Sequence, residues 1–103
     1  MYSPVFVKTE NELNKIIRTQ KRTNEEIGIL FTSLWDEPSQ ALVAELKNQS
    51  NNGKKKLYIV NSFMMPHAFI IYRTTKLPHL IRLRGRTVES YDYLSLVYKE
   101  LGL

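Results

Sequence analysis

The strongest constraint on the fold of this chain is a nearly continuous apolar run, IGILF, at residues 27–31. A strand with one solvent-exposed face alternates apolar and polar residues, whereas a continuous apolar run is typical of a strand that is buried on both faces. Residues 57–60, LYIV, repeat this character. Two such strands predict a central sheet with helices on both faces, which is an α/β fold.

Helix and strand patterns alternate around these two runs. The spacing from Thr9 to Glu12 is that of a capping box, which opens a helix. Asp36 can cap a second helix, with Pro38 in its first turn. The predicted order is a strand at 4–8, a helix from 9 that ends between 19 and 24, a strand at 26–33, a helix from 36 that closes at 48–53, a strand at 57–60 and a short helix at 66–72.

The C-terminal part predicts one more strand and one more helix. Residues 80–84 alternate, with Ile81 and Leu83 on one face, and Gly85 can turn the chain. Residues 90–101 have an apolar helical face, with Ser90 as the candidate cap. Only four residues separate Gly85 from Ser90, which is short for a full strand. The prediction is therefore four strands, with a fifth left open, and without a fifth the strand at 80–84 would be an edge.

Composition narrows the function classes. The chain has 103 residues, 43% of them hydrophobic and 24% charged, which predicts one folded domain over residues 1–103. It has no cysteine, so thiol and disulfide chemistry are excluded. His67 and His79 are the two imidazoles and neither has a regular metal spacing, so we expect no metal and no cofactor. No apolar run or basic leader indicates a membrane span or signal peptide, so we expect a cytoplasmic protein without a membrane partner.

Residues 31–39, FTSLWDEPS, resemble the active-site segment of thioredoxins, in which a buried strand leads through tryptophan into Cys-Gly-Pro-Cys at a helix start. Trp35 and Pro38 match that segment, whereas Asp36 and Ser39 stand at the two cysteine positions. Residues 72–80 resemble the stretch before a later strand, and the resemblance implies a cis peptide at Leu77-Pro78. The buried acidic residue of the family is replaced, here by Leu30.

The resemblance implies a thioredoxin-like three-layer fold with a mixed central sheet, and a redox-inactive protein that is not an enzyme. It also implies a protein partner, because the groove beside the cis-proline could bind an extended peptide without thiols. The candidate contact residues are Trp35, Asp36, Glu37, Pro38, Ser39, Leu77, Pro78 and His79.

Simpler interpretations of three of these residues stay open. Asp36 can be a helix cap alone, Trp35 can be an ordinary packing residue, and His79 can be a structural histidine.

The charge of +5 comes from the second half of the chain, where residues 54–103 carry nine basic and three acidic side chains. Nucleic-acid binding is therefore the alternative hypothesis, although no nucleic-acid motif is present. Protection of an edge strand would also explain these charges. The abundance of Asn, Lys and Ile indicates an AT-rich genome, such as that of a phage or of a low-GC bacterium. The candidate contacts for an anion or nucleic acid are Arg73, Lys76, Arg82, Arg84 and Arg86.

Overall fold

The computed structural model describes residues 2–48, 53, 55–61 and 76–103. The predicted helix at residues 66–72 lies outside these residues, and so does Arg73. The described elements are β1 (Tyr2–Phe6), α1 (Glu10–Thr23), β2 (Ile27–Thr32), α2 (Glu37–Asn48), β3 (Lys55–Asn61), β4 (His79–Arg84), β5 (Thr87–Tyr91) and α3 (Leu94–Glu100).

The five described strands form one mixed sheet in the order β1-β3-β2-β4-β5. The first three strands are mutually parallel, β4 runs antiparallel to β2, and β5 runs antiparallel to β4. β2 lies in the centre, and all of its residues are buried. The strand that the apolar run predicts is therefore confirmed as the central one.

Each face of the sheet has its own hydrophobic core. On one face α1 packs through Leu13 against Ile29, Phe31 and other side chains of β2 and β4. On the opposite face α2 and α3 pack through Leu42 and Val97. The predicted three-layer α/β arrangement is confirmed.

Gly28 in β2 allows the second face to pack closely. A Cβ atom at this position would lie 2.9 Å from Leu57 Cδ1 and 3.3 Å from Tyr2 Cε1. Real Cβ atoms do not approach other atoms as closely as 2.9 Å, so a side chain here would force the end of the Leu57 side chain to shift. The glycine that interrupts the apolar run is thus part of the packing.

The predicted start of α1 is confirmed by its hydrogen bonds. Thr9 is the N-cap, and its Oγ1 accepts from the Glu12 backbone N–H at 3.1 Å. The Glu12 carboxylate in turn accepts from the Lys8 N–H at 3.3 Å. The helix ends at Thr23, and the next residue, Asn24, is the C-cap with a left-handed φ of 59°.

In the C-terminal part the structure shows the fifth strand that the sequence left open, and it corrects the predicted helix cap. A fifth strand is present, and Ser90 belongs to it rather than capping a helix, since α3 begins at Leu94 after Tyr93. The physical reason is a tight turn: Gly85 takes a φ of 58°, so Arg84 and Thr87 pair directly and β5 fits into the short segment. β4 is consequently an inner strand.

Candidate functional site

Two segments meet at one end of the sheet. Phe31 pairs with His79 in antiparallel register, so the chain that leaves β2 at Ser33 and the chain that enters β4 at Pro78 lie at the same end. The Leu77–Pro78 peptide is cis, as the resemblance implies. This end of the sheet, with residues 33–39 and 76–79, is the candidate site.

Asp36 and Ser39 are bonded to each other at the start of α2. Asp36 Oδ2 accepts from the Ser39 backbone N–H at 3.0 Å and from the Ser39 hydroxyl at 2.6 Å. This is an N-cap, which satisfies an otherwise free N–H of the first helical turn. Ser39 is fully buried, so its hydroxyl is neither free nor accessible. The simpler interpretation of Asp36 as a helix cap therefore agrees with the structure.

Trp35 projects from the loop before this helix. Its side chain is 85% exposed, and that of the preceding Leu34 is 61% exposed. The loop itself is held in place, because Ser33 Oγ accepts from the Trp35 N–H at 3.2 Å and the Gln40 amide donates to the Ser33 carbonyl at 3.3 Å. Ordinary packing does not account for a tryptophan that is exposed to this degree.

A cleft of about 240 Å³ lies on one side of this loop. It is lined by Ser33 and Leu34, by Val43 of α2, and by Lys47, whose Nζ lies 5.2 Å from the ring centre of Phe6. The cleft offers apolar surface next to the exposed leucine. A partner that covers Trp35 can therefore also reach an apolar depression.

The segment before β4 contacts an aromatic residue, Tyr93, and the sequence did not indicate this contact. Lys76 is exposed, and its Nζ lies 5.2 Å from the ring centre of Tyr93. The sequence interpretation placed Tyr93 within the last helix. It instead lies in the exposed N-cap position of α3, just after β5, at the same end of the sheet as Lys76 and Leu77.

His79 points into the protein and away from solvent. It is only 6% exposed, its Nε2 is hydrogen-bonded to Ser90 Oγ, and its ring centre lies 6.0 Å from that of Phe31. Burial lowers the pKa of His79, although the Asp92 carboxylate acts in the opposite direction. The imidazole is thus a neutral structural residue at pH 7, and Nδ1 has no hydrogen-bond partner in the described part of the chain.

The structure divides the eight predicted contact residues into two groups. Ser39, Pro78 and His79 are buried and can shape the site only from beneath. The other five have accessible surface: Trp35, Glu37 and Pro38 are exposed, and Asp36 and Leu77 are partly buried.

The arginines of β4 are engaged in ion pairs. Glu26 Oε1 accepts from Arg82 Nε at 2.7 Å and from Arg84 Nη2 at 3.2 Å, and it also pairs with Lys55 at 3.2 Å. Arg82 makes a second ion pair with Glu100 of α3 at 2.9 Å. We call these five side chains the Glu26 cluster.

The ionisation of this cluster follows from its contacts. Burial raises the pKa of Glu26, but the hydrogen bonds from Arg82, Lys55 and Arg84 outweigh it and lower the pKa to about 2. Burial also disfavours the charged form of Arg82, but the bond to Glu26 outweighs it and raises the pKa.

The predicted basic patch is not continuous. Lys76 precedes β4 and Arg84 ends it, so these two residues lie at opposite ends of the sheet. Arg82 and Arg84 both form ion pairs with Glu26, whereas Arg86 is exposed in the β4–β5 turn.

Among the described residues there is no group of three or more side chains suited to hold a metal ion. No helix in the described ranges is long and apolar enough to cross a bilayer.

No protein-family model and no curated protein matches the sequence. Solved structures do match it. Thioredoxin O2 from Arabidopsis thaliana has a TM-score of 0.77 at 18% identity, over 96% of this chain and 94% of that one. Thioredoxin NaTrxh from Nicotiana alata has a TM-score of 0.81 at 13% identity, over 97% of this chain and 90% of that one. A Schistosoma mansoni thioredoxin has a TM-score of 0.77 at 16% identity, over 97% and 94%. At these identities the similarity establishes the thioredoxin fold.

Proposed function

We propose that this chain, a thioredoxin fold without a thiol, is a redox-inactive protein-interaction module that binds a protein partner through the surface around Trp35. The contact surface comprises Trp35 with Leu34, the exposed start of α2 at Glu37 and Pro38, and the accessible part of Leu77. In this proposal the protein is an accessory factor in the cytoplasm, encoded by a phage, and is not an enzyme.

The exposure of Trp35 is the observation that carries the proposal. An indole ring provides a large apolar area and one N–H donor, and tryptophan is enriched among the residues that dominate binding energy at protein interfaces. Leu34 enlarges the apolar area, and the hydrogen bonds around Ser33 hold the loop in one conformation. A pre-ordered loop loses little conformational entropy on binding, which favours affinity.

The chemistry at the two cysteine positions supports the absence of redox activity. Disulfide exchange requires a thiolate that attacks sulfur, and neither Asp36 nor Ser39 can supply one. Their side chains instead bond to each other and cap the helix. No cofactor is needed for the proposed binding role.

The contacts of the β4 arginines weigh against nucleic-acid binding as the main role. Phosphate contacts need cations that are free to replace counterions, and Arg82 is already shared between Glu26 and Glu100. Among the predicted contacts that the structure describes, Lys76 and Arg86 are exposed and have no ion pair, but they lie apart from each other.

A capture experiment with matched variants tests the proposal. Three proteins are immobilised: the wild-type domain, Trp35→Ala, and Leu96→Ala as a control, because Leu96 is another exposed apolar side chain. Each is incubated with host lysate, with and without nuclease treatment, at low and at high salt. We expect a protein that is retained by the wild type and by Leu96→Ala and lost with Trp35→Ala. Equal retention by all three, retention that disappears with nuclease and salt, or turnover in an insulin reduction assay would contradict the proposal.

A further inference from the structure

The two outer strands of the sheet differ in how well their free edges are protected. β1 carries Pro4, which has no N–H to offer to a neighbouring strand. β5 has the sequence TVESY, with neither a proline nor a lysine. Natural sheets usually blunt an exposed edge with such residues, so β5 is the edge that is open to another strand.

The turn between β4 and β5 determines which groups of β5 face outward. Arg84 pairs directly with Thr87 around a two-residue turn, and such a closing pair exchanges both of its backbone hydrogen bonds. Residues that hydrogen-bond to β4 through their backbone alternate along β5 with residues that do not. Val88 and Ser90 are of the second kind, so their N–H and C=O groups point away from β4. These groups are available to a sixth strand.

A groove of about 580 Å³ runs beside this edge. Val88 lies opposite Leu83 and therefore on the α1 face of the sheet, where both residues and Ile17 of α1 form the apolar part of the groove. Val88 is 61% exposed, which is unusual for valine in a strand.

The rim of the groove is basic. Lys21 and Arg86 line it, and no acidic residue of the described part of the chain does. Within the described ranges neither of these cations has an ion-pair partner. The groove therefore combines an apolar floor with two cations that lack carboxylates.

We propose that β5 binds an extended peptide segment of a partner protein as a sixth, antiparallel strand. An apolar side chain of the peptide lies opposite Val88 in the groove, and an acidic side chain two residues further on lies opposite Arg86. Alternate side chains of an added strand share one face, so both reach the groove while the backbone pairs with Val88 and Ser90.

This surface is separate from the one around Trp35. Val88 is linked through Leu83 to Ile27, at the start of β2, whereas Trp35 follows the end of β2. The inference therefore does not depend on the proposed function.

A second copy of this chain fits the edge less well than an acidic peptide. Antiparallel pairing of two β5 strands through both Val88 and Ser90 places each Val88 opposite the partner's Ser90 and brings the two Glu89 side chains opposite each other. Like charges directly opposite each other destabilise a strand pair. A second copy would also bring no carboxylate to Lys21 and Arg86.

The test uses the full chain and a fluorescein-labelled peptide, Thr-Lys-Leu-Thr-Glu, in which Leu is designed to lie opposite Val88, Glu opposite Arg86 and Lys opposite Glu89. Anisotropy titrations compare the wild type with Val88→Pro, which removes one outward N–H, and with Arg86→Glu. Arg22→Glu is the matched charge control, because Arg22 lies on α1 and does not line the groove. Amide chemical-shift dispersion shows that each variant folds.

We expect saturable binding by the wild type. The affinity should fall about tenfold or more with Val88→Pro and with Arg86→Glu, because each variant loses at least one good contact. Arg22→Glu and Trp35→Ala should leave the affinity unchanged. Binding should also slow hydrogen exchange at the Val88 and Ser90 amides. Absent or non-saturable binding, or an equal loss of affinity with Arg22→Glu, would overturn the inference. A concentration-dependent dimer that Val88→Pro converts to monomer would also overturn it, because the edge would then bind a second copy of the chain.

Discussion

At the residue scale, two substitutions at the start of α2 replace a reactive pair by a structural one. In the thioredoxin pattern, positions 36 and 39 hold thiols that exchange with a disulfide, whereas Asp36 and Ser39 bond to each other and to the helix N-terminus. Such a cap contributes about 1 kcal/mol to helix stability. Residues 36 and 39 thus supply no thiol but cap the helix, and the neighbouring Trp35 stays exposed for the recognition role that we propose.

His79 gives the first pH-dependent prediction. Burial lowers its pKa in the folded protein below the ordinary value of 6.5. At a pH between the folded-state pKa and the unfolded-state pKa, the unfolded protein binds the proton and the folded protein does not. The free energy of unfolding therefore falls as the pH drops below about 6.5. Urea unfolding of the wild type should show this loss from pH 7.5 to pH 5, and His79→Gln should reduce it.

An NMR titration of the imidazole provides the control, with His67→Gln used to assign the two histidines. A His79 pKa at or above 6.5 would contradict the prediction.

At the element scale, the sequence predicts the buried elements well and the exposed ones poorly. Residues 27–31 and 57–60 lie in β2 and β3, because both faces of an inner strand must be apolar. β5 has no such run: Val88 is exposed and Glu89 is only half-buried, so neither face gives a clear signal. Its existence depends on hydrogen bonding to β4, which no single segment reveals.

The candidate site shows the same division. The resemblance of residues 31–38 and of the Leu77-Pro78 pair to the thioredoxin pattern correctly predicts that the two segments lie close together. They could not distinguish which side chains reach the surface, and Ser39 and His79 prove to be buried. Tyr93 was missed because its position depends on where β5 ends, and that strand was left open.

The Glu26 cluster connects β2, β3, β4 and α3, so its removal should affect the whole sheet. Glu26→Gln removes the carboxylate that Arg82 shares, and Arg82 is mostly buried. We expect a loss of about 1.5–3 kcal/mol at pH 7, the range for hydrogen bonds to charged groups. Glu25→Gln, whose side chain is exposed and outside the cluster, is the control and should change the stability little.

The pH dependence of this loss has a definite sign. The pKa of Glu26 is about 2 in the folded protein, against 4.5 without these contacts. A lowered carboxyl pKa stabilises the fold above pH 4.5, and this stabilisation is lost as the pH falls toward 2. The difference between the wild type and Glu26→Gln in urea unfolding should therefore shrink over that range, and a difference that grows on acidification would contradict the assignment.

At the scale of the whole molecule, the two proposed binding surfaces lie at opposite ends of the central strand. The Trp35 surface follows the end of β2, and the edge groove lies beside the β4–β5 turn. No residue belongs to both surfaces, although Leu77 of the Trp35 surface and Leu83 of the groove pack into the same core on the α1 face of the sheet. Substitutions at the two surfaces should therefore act independently, so one chain can contact two partners at once.

The last prediction asks whether the scaffold retains the geometry of a thiol site. Asp36 Oδ2 and Ser39 Oγ approach within 2.6 Å, so the two side chains point toward each other. In the variant Asp36→Cys, Ser39→Cys the two sulfur atoms should therefore meet, and an intramolecular disulfide should form under air oxidation. Intact-mass spectrometry should show a monomer lighter by about two protons, and the variant should reduce insulin where the wild type does not.

The matched control is Glu37→Cys, Ser39→Cys, because residues two apart on a helix do not face each other. We expect this control to remain reduced or to form intermolecular dimers. If the pair at 36 and 39 behaves in the same way, the helix start has drifted from the thioredoxin geometry. If the disulfide forms, the two missing thiols alone would account for the proposed lack of redox activity, because the geometry around them is retained.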